Sequence, residues 1–266
     1  MAAAETTSDV IHALEELNVQ KIVEIPKLGP IDFSITNAVI YVWVSAIVVF
    51  LFFFIVSRRS RMRNKPGLLQ SFAESLVSFG TGHLAGQIGE KGKKYYYIVL
   101  TTFVFILTTN LIGLIPKPIQ IKPYTPTANI NVTVAMALVV FFTTHYLGVK
   151  NHGPGGYVKS WLLPPGVPKA LAVPLNGIFF VVHMVGEMFR PVSLSVRLFG
   201  NTIAGHLVIL VMLGLILEFA KAIVVIPAAL FIVIMTGFEI FVALLQAYIF
   251  SLLSVLYIEG AIYAGH

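Results

Sequence analysis

Apolar runs of about 20 residues alternate with short polar segments along this chain. In the first 150 residues they cover about 36–57, 95–116 and 130–149. A helix needs ~20 predominantly apolar residues to cross the hydrocarbon core of a bilayer. The pattern therefore predicts three ordinary membrane spans in this part of the chain.

Residues 67–89 are less apolar than the predicted spans. Ser, Glu, Gln and His separate apolar side chains that recur at three- to five-residue intervals, a spacing that places them on one face of a helix. We expect an interfacial amphipathic helix that lies on the cytoplasmic face of the membrane or packs under the bundle, rather than a span. The apolar residues of the pattern are Leu69, Phe72, Leu76, Phe79 and Leu84.

Two much longer apolar segments, about 170–217 and 222–263, make up the C-terminal third of the chain. A continuous helix over the first would be roughly 70 Å long, more than twice the ~30 Å thickness of the hydrocarbon core. Each segment therefore either breaks in two or lies steeply tilted, as one arm of a long antiparallel helical hairpin.

Isolated polar residues favour the hairpin. Residues at one level of an antiparallel hairpin have residue numbers with a constant sum, so a turn near 221 sets Arg197 level with Gln246 and His206 level with Glu239. Asn201 shares a helix face with Arg197 at i, i+4. We expect a steeply tilted hairpin that brings these side chains together within the membrane.

Arg197 is one of three charged residues between 170 and 217, together with Glu187 and Arg190. Arginine stays protonated in proteins. Placing it at the centre of a bilayer costs from ~3 to over 10 kcal/mol. A charge kept at that cost indicates a functional site. The alternatives are a structural ion pair and an arginine that extends to the headgroups.

The composition agrees with a membrane protein. Hydrophobic residues make up 57% of the chain and charged residues 11%. The absence of cysteine excludes disulfides and thiolate metal sites. The net charge of +6 does not indicate nucleic-acid binding, because the basic residues cluster at the ends of apolar segments. We expect an all-α polytopic protein that forms a single membrane domain over residues 1–266.

Basic residues also predict the orientation of the chain. Eleven Lys and Arg lie in 58–94 and in the loop segment 150–169, against five in 1–35, in 117–129 and at Lys221. The first group marks the cytoplasmic side, which places the acidic N-terminal tail outside and the C-terminus in the cytoplasm. We see no signal or transit peptide, which favours a bacterial inner membrane.

Four sequence stretches resemble a known family. They are RPVSLSVRLFGN, followed two residues later by AGH, and the stretches LLQAYIFSLLS, TNLIGLIP and PTANINVTVAMAL. Together they resemble the ATPase A chain family, subunit a of the rotary ATP synthase. The resemblance extends in order over nearly the whole chain apart from the N-terminal tail.

The resemblance implies a non-catalytic stator that passes ions across the membrane by way of a rotating ring of c subunits. Two aqueous half-channels would end at the ring, with Arg197 between them. The implied partners are the c-ring, the peripheral-stalk b subunits, the rest of the ATP synthase and the lipid bilayer. No cofactor, metal or nucleic acid is implied. The sequence leaves H⁺ and Na⁺ both open, because the ion-binding carboxylate belongs to the c subunit.

Four residues match polar positions of the family near that arginine. Asn201 and Gln246 are expected to orient it or to guide water, and the alternative is an ordinary interhelical hydrogen bond. His206 and Glu239 match a carboxylate and an imidazole that a bacterial relative has in the opposite order. The resemblance implies a relay in the outer half-channel, and the alternative is a polar pair that holds the hairpin together.

Other residues match with weaker support. Glu187 matches a carboxylate ten residues before the arginine and would line the inner half-channel. Arg190 is also suited to a local ion pair with it. His183, one turn earlier, either lines the same half-channel or is a polar residue whose hydrogen bonds are simply satisfied. Asn110 lies in TNLIGLIP, where packing against the hairpin is the alternative. Asn129 departs from the aspartate usual in the family, which puts a proton-collecting role there in doubt.

Two other functions fit parts of the pattern. A secondary transporter would use Arg197 to bind an anionic substrate, but we see no internal repeat of the kind such transporters contain. A structural scaffold would use the buried polar pairs only to hold its helices together.

Overall fold

A computed structural model describes residues 20–24, 34–60, 67–80, 82, 95–114, 124–162, 169–219 and 221–263. These residues form six α-helices, together with a short 3₁₀ turn and a two-stranded antiparallel sheet. The helices are α1 (Asn37–Ser60), α2 (Leu68–Phe79), α3 (Tyr96–Leu114), α4 (Ile130–Lys159), α5 (Lys169–Phe219) and α6 (Ala222–Ile262). The 3₁₀ turn is Pro126–Ala128, and the strands are β1 (Lys21–Val23) and β2 (Ile35–Thr36).

Five of these helices, all except α2, are long and apolar enough to cross a membrane. The most apolar is α1, with a mean hydropathy of 2.9 over Asn37–Arg58. Large apolar side chains on it, such as Trp43 and Phe50, are exposed, which fits contact with lipid rather than with protein. The prediction of an all-α polytopic membrane protein is confirmed.

Helix α1 is joined to the small sheet at its first residue. The Asn37 N–H donates to the backbone oxygen of Gln20 at 3.0 Å. The Asn37 side-chain oxygen accepts from the N–H of Gln20 at 3.1 Å and from the N–H of Ala38 at 2.9 Å. The side chain therefore satisfies a backbone donor that has no partner within the first turn.

The helices α5 and α6 are continuous, with 51 and 41 residues. Pro174 and Pro191 lie inside α5 and Pro227 lies inside α6 without ending either helix, as membrane helices tolerate. Helix α5 is about 75 Å long at 1.5 Å per residue. The arms are thus unbroken, while their inclination to a bilayer stays a prediction.

Helix α4 differs from expectation at its C-terminal end. The sequence predicted a span at 130–149 followed by a loop, but the helix turns at a kink and continues to Lys159. Gly153 has φ of 71° and ψ of 162°, a backbone conformation that favours glycine. Pro154 follows it at a first helical position, where proline's fixed φ suits the helix and its missing N–H costs no hydrogen bond.

The predicted amphipathic helix extends over less of the chain than expected. Helix α2 covers Leu68–Phe79, and Leu84 of the predicted pattern lies outside the described residues. Phe79 packs against Phe103 and Tyr248, with ring centroids 5.4 and 5.8 Å apart. Phe72 of the same helix is exposed. Its placement in the membrane interface stays a prediction.

Contacts between residues group the chain into two compact units, each built from three separate stretches. Unit 1 comprises Met1–Phe52, Val104–Thr133 and Arg197–Ala247. Unit 2 comprises Phe53–Phe103, Val134–Val196 and Tyr248–His266. The units are therefore not successive domains, since all five long helices contribute to both. The single membrane domain of the sequence analysis stays a prediction.

Candidate functional site

Unit 1 contains a cavity of about 350 Å³ between the parts of α3, α5 and α6 that belong to it. Its lining combines amides, a hydroxyl, an imidazole and a carboxylate with a few apolar side chains. We call it the unit 1 cavity. Its polar residues are Asn110 from α3, Asn201, Thr202 and His206 from α5, and Glu239 and Gln246 from α6.

One hydrogen bond joins α5 to α6 across the unit 1 cavity. The Asn201 side-chain amide donates from Nδ2 to Oε1 of Gln246 at 3.0 Å. Gln246 is buried, so the bond satisfies an amide that water does not reach. This is the interhelical bond that the sequence analysis kept as an alternative for the pair. It joins Gln246 to Asn201, one turn further along α5 than Arg197, the residue that the sequence sets level with Gln246.

His206 and Glu239 line the same cavity, as their levels in the hairpin predict. His206 Nε2 lies 2.7 Å from the hydroxyl oxygen of Thr125. The Glu239 carboxylate lies against Gly205, where an added Cβ would overlap it. Its Oε2 is buried and has no hydrogen-bond partner among the described residues. In the same part of the chain, no ion pair links the histidine to the glutamate.

Asn110 is more than a packing residue of α3. It is buried, and its side-chain oxygen accepts a hydrogen bond from the Thr127 hydroxyl at 2.8 Å. The Thr202 hydroxyl lies 3.2 Å from the same Thr127 oxygen. Two threonines of the segment before α4, Thr125 and Thr127, thus contact the cavity residues. The sequence analysis did not single them out, although a hydroxyl on each side of Pro126 was a visible signal.

Arg197 belongs to unit 1 but does not line its cavity. The residue is exposed, as are Asn201 and Ala204 further along the same helix face. Within the described ranges no ion pair or hydrogen bond to its guanidinium is found. A Cβ on the neighbouring Gly200 would meet nothing within 4 Å. The arginine therefore lies on an open face of α5, and the structural ion pair is not observed among these residues.

Unit 2 contains a second cavity, of about 230 Å³, which we call the unit 2 cavity. Its centre is the buried carboxylate of Glu187. Oε1 of that carboxylate forms an ion pair with Arg190 and lies 3.2 Å from Nε2 of His183. Oε2 is buried and unpartnered in the described part of the chain. The local ion pair considered from the sequence is thus present, and His183 contacts the same oxygen.

Aromatic rings surround these charged groups. The Arg190 guanidinium carbon lies 4.5 Å from the centroid of the Tyr257 ring, a distance typical of a cation–π contact. Trp161 stacks on His183, with centroids 5.1 Å apart and planes 26° apart. His145, which also lines the cavity, packs at 4.1 Å on the Phe141 ring.

The sequence analysis missed His145. Its Nδ1 lies 2.9 Å from the backbone oxygen of Phe141, one turn earlier. A histidine inside a predicted membrane span was the available signal, since ionisable side chains are rare there and mark functional positions.

Asn129 lies at the start of α4 and lines neither cavity. Its side-chain oxygen accepts from the N–H of Asn131 at 2.9 Å, and its backbone oxygen accepts from the N–H of Thr133 at 3.2 Å. These bonds are those of a helix cap. Burial raises the pKa of the nearby Tyr124 phenol, whose oxygen has no hydrogen-bond partner among the described residues.

The chain matches known proteins over nearly its whole length. The family model described as ATP synthase A chain matches residues 39–259. The chain belongs to the ATP synthase A chain family. It is 38% identical to the ATP synthase subunit a of Rubrobacter xylanophilus, over 98% of this chain and 96% of that protein. It is also 38% identical to the ATP synthase subunit a of Magnetococcus marinus, over 99% of this chain and 97% of that one.

For this member of the ATP synthase A chain family, the predicted residues fall into three groups. Asn110, Asn201, His206, Glu239 and Gln246 line the unit 1 cavity. Glu187 and Arg190 line the unit 2 cavity, and His183 contacts Glu187. Arg197 lies on the open face of α5, and Asn129 caps α4.

Proposed function

We propose that this chain is the proton-channel stator subunit of an ATP synthase and that Arg197 couples proton translocation to rotation of the c-ring. The observation that supports this best is the open, unpaired guanidinium of Arg197 on an apolar helix of the described structure. Such a charge is costly in lipid. An anionic side chain on another chain is the partner that offsets this cost.

The chemistry of this step is electrostatic. A c-ring carboxyl group that arrives beside Arg197 meets a cation that cannot lose its proton. The opposite charge favours the ionised carboxylate, because Coulomb attraction is strong where water is scarce. The carboxyl group therefore releases its proton near Arg197, and no covalent chemistry is required. The small side chains of Gly200 and Ala204 allow a ring helix to approach closely.

The unit 1 cavity serves the outer half-channel in this proposal. Glu239 and His206 are its titratable residues, and the bonded pair of Asn201 and Gln246 lies on the same two helices. A carboxylate oxygen without a partner among the described residues is suited to exchange a proton with water. The two titratable groups receive protons that pass towards the ring.

The unit 2 cavity serves the inner half-channel. Glu187 is its central carboxylate, with Arg190 as a fixed counter-charge and His183 as a second titratable group. His183 has 38% of its side chain exposed, against 7% for Glu187. It is therefore suited to pass protons between water and the buried carboxylate.

The distribution of basic residues supports the proposed orientation of the chain in the membrane. Among the described basic residues, Arg58, Lys150 and Lys159 fall in unit 2, whereas Lys21 and Lys221 fall in unit 1. Under the positive-inside rule, unit 2 serves the cytoplasmic side. The N-terminus then lies outside and the C-terminus in the cytoplasm of a bacterial inner membrane. The c-ring and the peripheral-stalk b subunits are the proposed partners.

The test measures ATP synthesis by the assembled enzyme in membrane vesicles. We expect R197A and R197K to abolish synthesis driven by a proton gradient, because Ala removes the charge and Lys lacks the planar guanidinium. K221A, which removes an exposed cation at the break between α5 and α6, is the matched control and should retain synthesis. Normal synthesis by R197A would favour the scaffold. Synthesis driven only by a Na⁺ gradient would contradict proton coupling.

A further inference from the structure

Thr125 contacts the imidazole of the unit 1 cavity although it lies 81 residues away in sequence. Its hydroxyl oxygen is 2.7 Å from Nε2 of His206. This is the one hydrogen bond to the His206 ring among the described residues. Thr125 itself is 5% exposed, so water does not readily replace it.

The backbone around Thr125 is held in place at several points. Its carbonyl oxygen accepts from the N–H of Ala128 at 3.0 Å, which closes the 3₁₀ turn Pro126–Ala128. Thr127 in that turn is fully buried and bonded to Asn110 on α3. The hydroxyl of Thr125 is therefore presented by an anchored turn rather than by a loose loop.

Helix α3 leaves space for this side chain at one glycine. A Cβ added at Gly113 would overlap the Thr125 side chain, with the hydroxyl oxygen as the nearest atom. Gly113 is helical, so its lack of a side chain is not needed for backbone conformation. Glycine costs about 1 kcal/mol relative to alanine inside a helix. The close approach of Thr125 accounts for its presence.

A hydroxyl can bond to an imidazole in either charge state. It donates to Nε2 when that nitrogen is unprotonated, and it accepts from Nε2–H when the ring is cationic. We propose that Thr125 is a positioning residue for His206, which holds Nε2 in both states and leaves Nδ1 to exchange protons with the cavity. The inference rests on the proposed function, in which His206 conducts protons.

Groups from α6, from α3 and from α5 itself face His206 across the unit 1 cavity. Helix α6 contributes Glu239, the other titratable residue of the lining. Helix α3 contributes the uncharged amide of Asn110, and α5 itself contributes Asn201 and Thr202. Glu239 is therefore the group whose titration must be separated from that of His206 in any pH profile.

The test compares T125V, which keeps the shape but removes the hydroxyl, with T125S, which keeps the hydroxyl. ATP synthesis is measured in vesicles as a function of the pH on the side from which protons enter. We expect T125V to lower the maximal rate about tenfold, the factor for one lost hydrogen bond, and to shift the pH profile. T125S should restore both. G113A, which displaces Thr125, should behave like T125V.

Two further variants make the result decisive. T127V breaks the bonds of the same turn to Asn110 without removing the hydroxyl bonded to His206, so it should lower the amount of assembled enzyme without shifting the pH profile. An equal pH shift in T127V, or an unshifted profile in T125V, would overturn the role of Thr125. H206A tests the proposed function separately: an unchanged rate and profile in H206A would overturn that function itself. If His206 conducts protons and Thr125 acts only through it, the T125V/H206A double variant should synthesise ATP no more slowly than H206A alone.

Discussion

The two cavities each contain a glutamate near a histidine, but the two carboxylates differ in the partners that they contact. In unit 2, Glu187 has a guanidinium and an imidazole on one oxygen, while the Tyr257 ring packs on the guanidinium and Trp161 stacks on the imidazole. In unit 1, Glu239 has no ion pair in the described structure, and beside a glycine it shares its cavity with amides, a hydroxyl, an imidazole and apolar side chains. One carboxylate is compensated within the chain, and the other is not.

This difference predicts that the two cavities contribute unequally to the stability of the protein and to proton transfer. Breaking a partly buried ion pair destabilises the fold, because removal of one partner leaves an unpaired charge. An uncompensated carboxylate adds little to stability, but its charge state can change without disturbing a partner. We therefore expect substitutions in the unit 2 cavity to impair both assembly of the complex and proton transport. Substitutions in the unit 1 cavity should impair mainly proton transport.

The largest expected contrast is between E187Q and E239Q. E187Q leaves Arg190 unpaired and should destabilise the protein by ~2 kcal/mol, less than the ~3–5 kcal/mol of a fully buried pair, because 34% of the Arg190 side chain is exposed. E239Q leaves no unpaired charge behind and should assemble normally. Both should lose most proton-driven ATP synthesis. Thermal stability and the yield of assembled complex are the measurements, and equal yields would contradict the comparison.

A smaller effect is expected at the glycine that contacts Glu239. In G205A the new Cβ would overlap the carboxylate and force it to move. We expect the rate of ATP synthesis to fall severalfold while the complex still assembles, because the side chain of Glu239 can rotate away. G237A is the matched control, since a Cβ at Gly237 meets nothing within 4 Å. A similar loss in both variants would show that helix packing, rather than the carboxylate, is responsible.

The smallest effect concerns the bond between Asn201 and Gln246. Interhelical hydrogen bonds in membranes contribute ~0.6 kcal/mol on average and up to ~2 kcal/mol. We expect N201L and Q246L to show a coupling energy of this size in a double-mutant cycle of thermal stability. A coupling near zero would mean that the bond does not hold the two arms together. ATP synthesis in the same variants then reports any separate effect on Arg197.

Much of the fold was predictable because membrane helices are specified locally. Twenty apolar residues in a row must satisfy their backbone groups within the segment, so helices follow from composition alone. The kink at Gly153 was not predicted, because a histidine, a glycine and a proline in succession are as typical of a loop as of a bend. The N-terminal tail and the segment after α2 lie largely outside the described residues.

The candidate site was predicted where it depended on levels along two helices. The levels of His206 and Glu239 follow from antiparallel geometry, in which the residue number gives the distance from the turn. The same geometry sets Arg197 level with Gln246, whereas the observed hydrogen bond joins Asn201 to Gln246. Thr125 and His145 could not be found that way. One reaches the site from a turn between spans, and the other from a helix whose rotation about its axis depends on its neighbours.

The sequence by itself determined which segments form the long apolar helices and that one of them contains Arg197, because the apolar character of a segment sets the solvent that it needs. The tertiary structure decided which histidine meets a hydroxyl and which face of α5 stays open. Such contacts join residues far apart in sequence, 81 positions in the case of Thr125 and His206. They depend on how side chains fill space between helices, which no local pattern encodes.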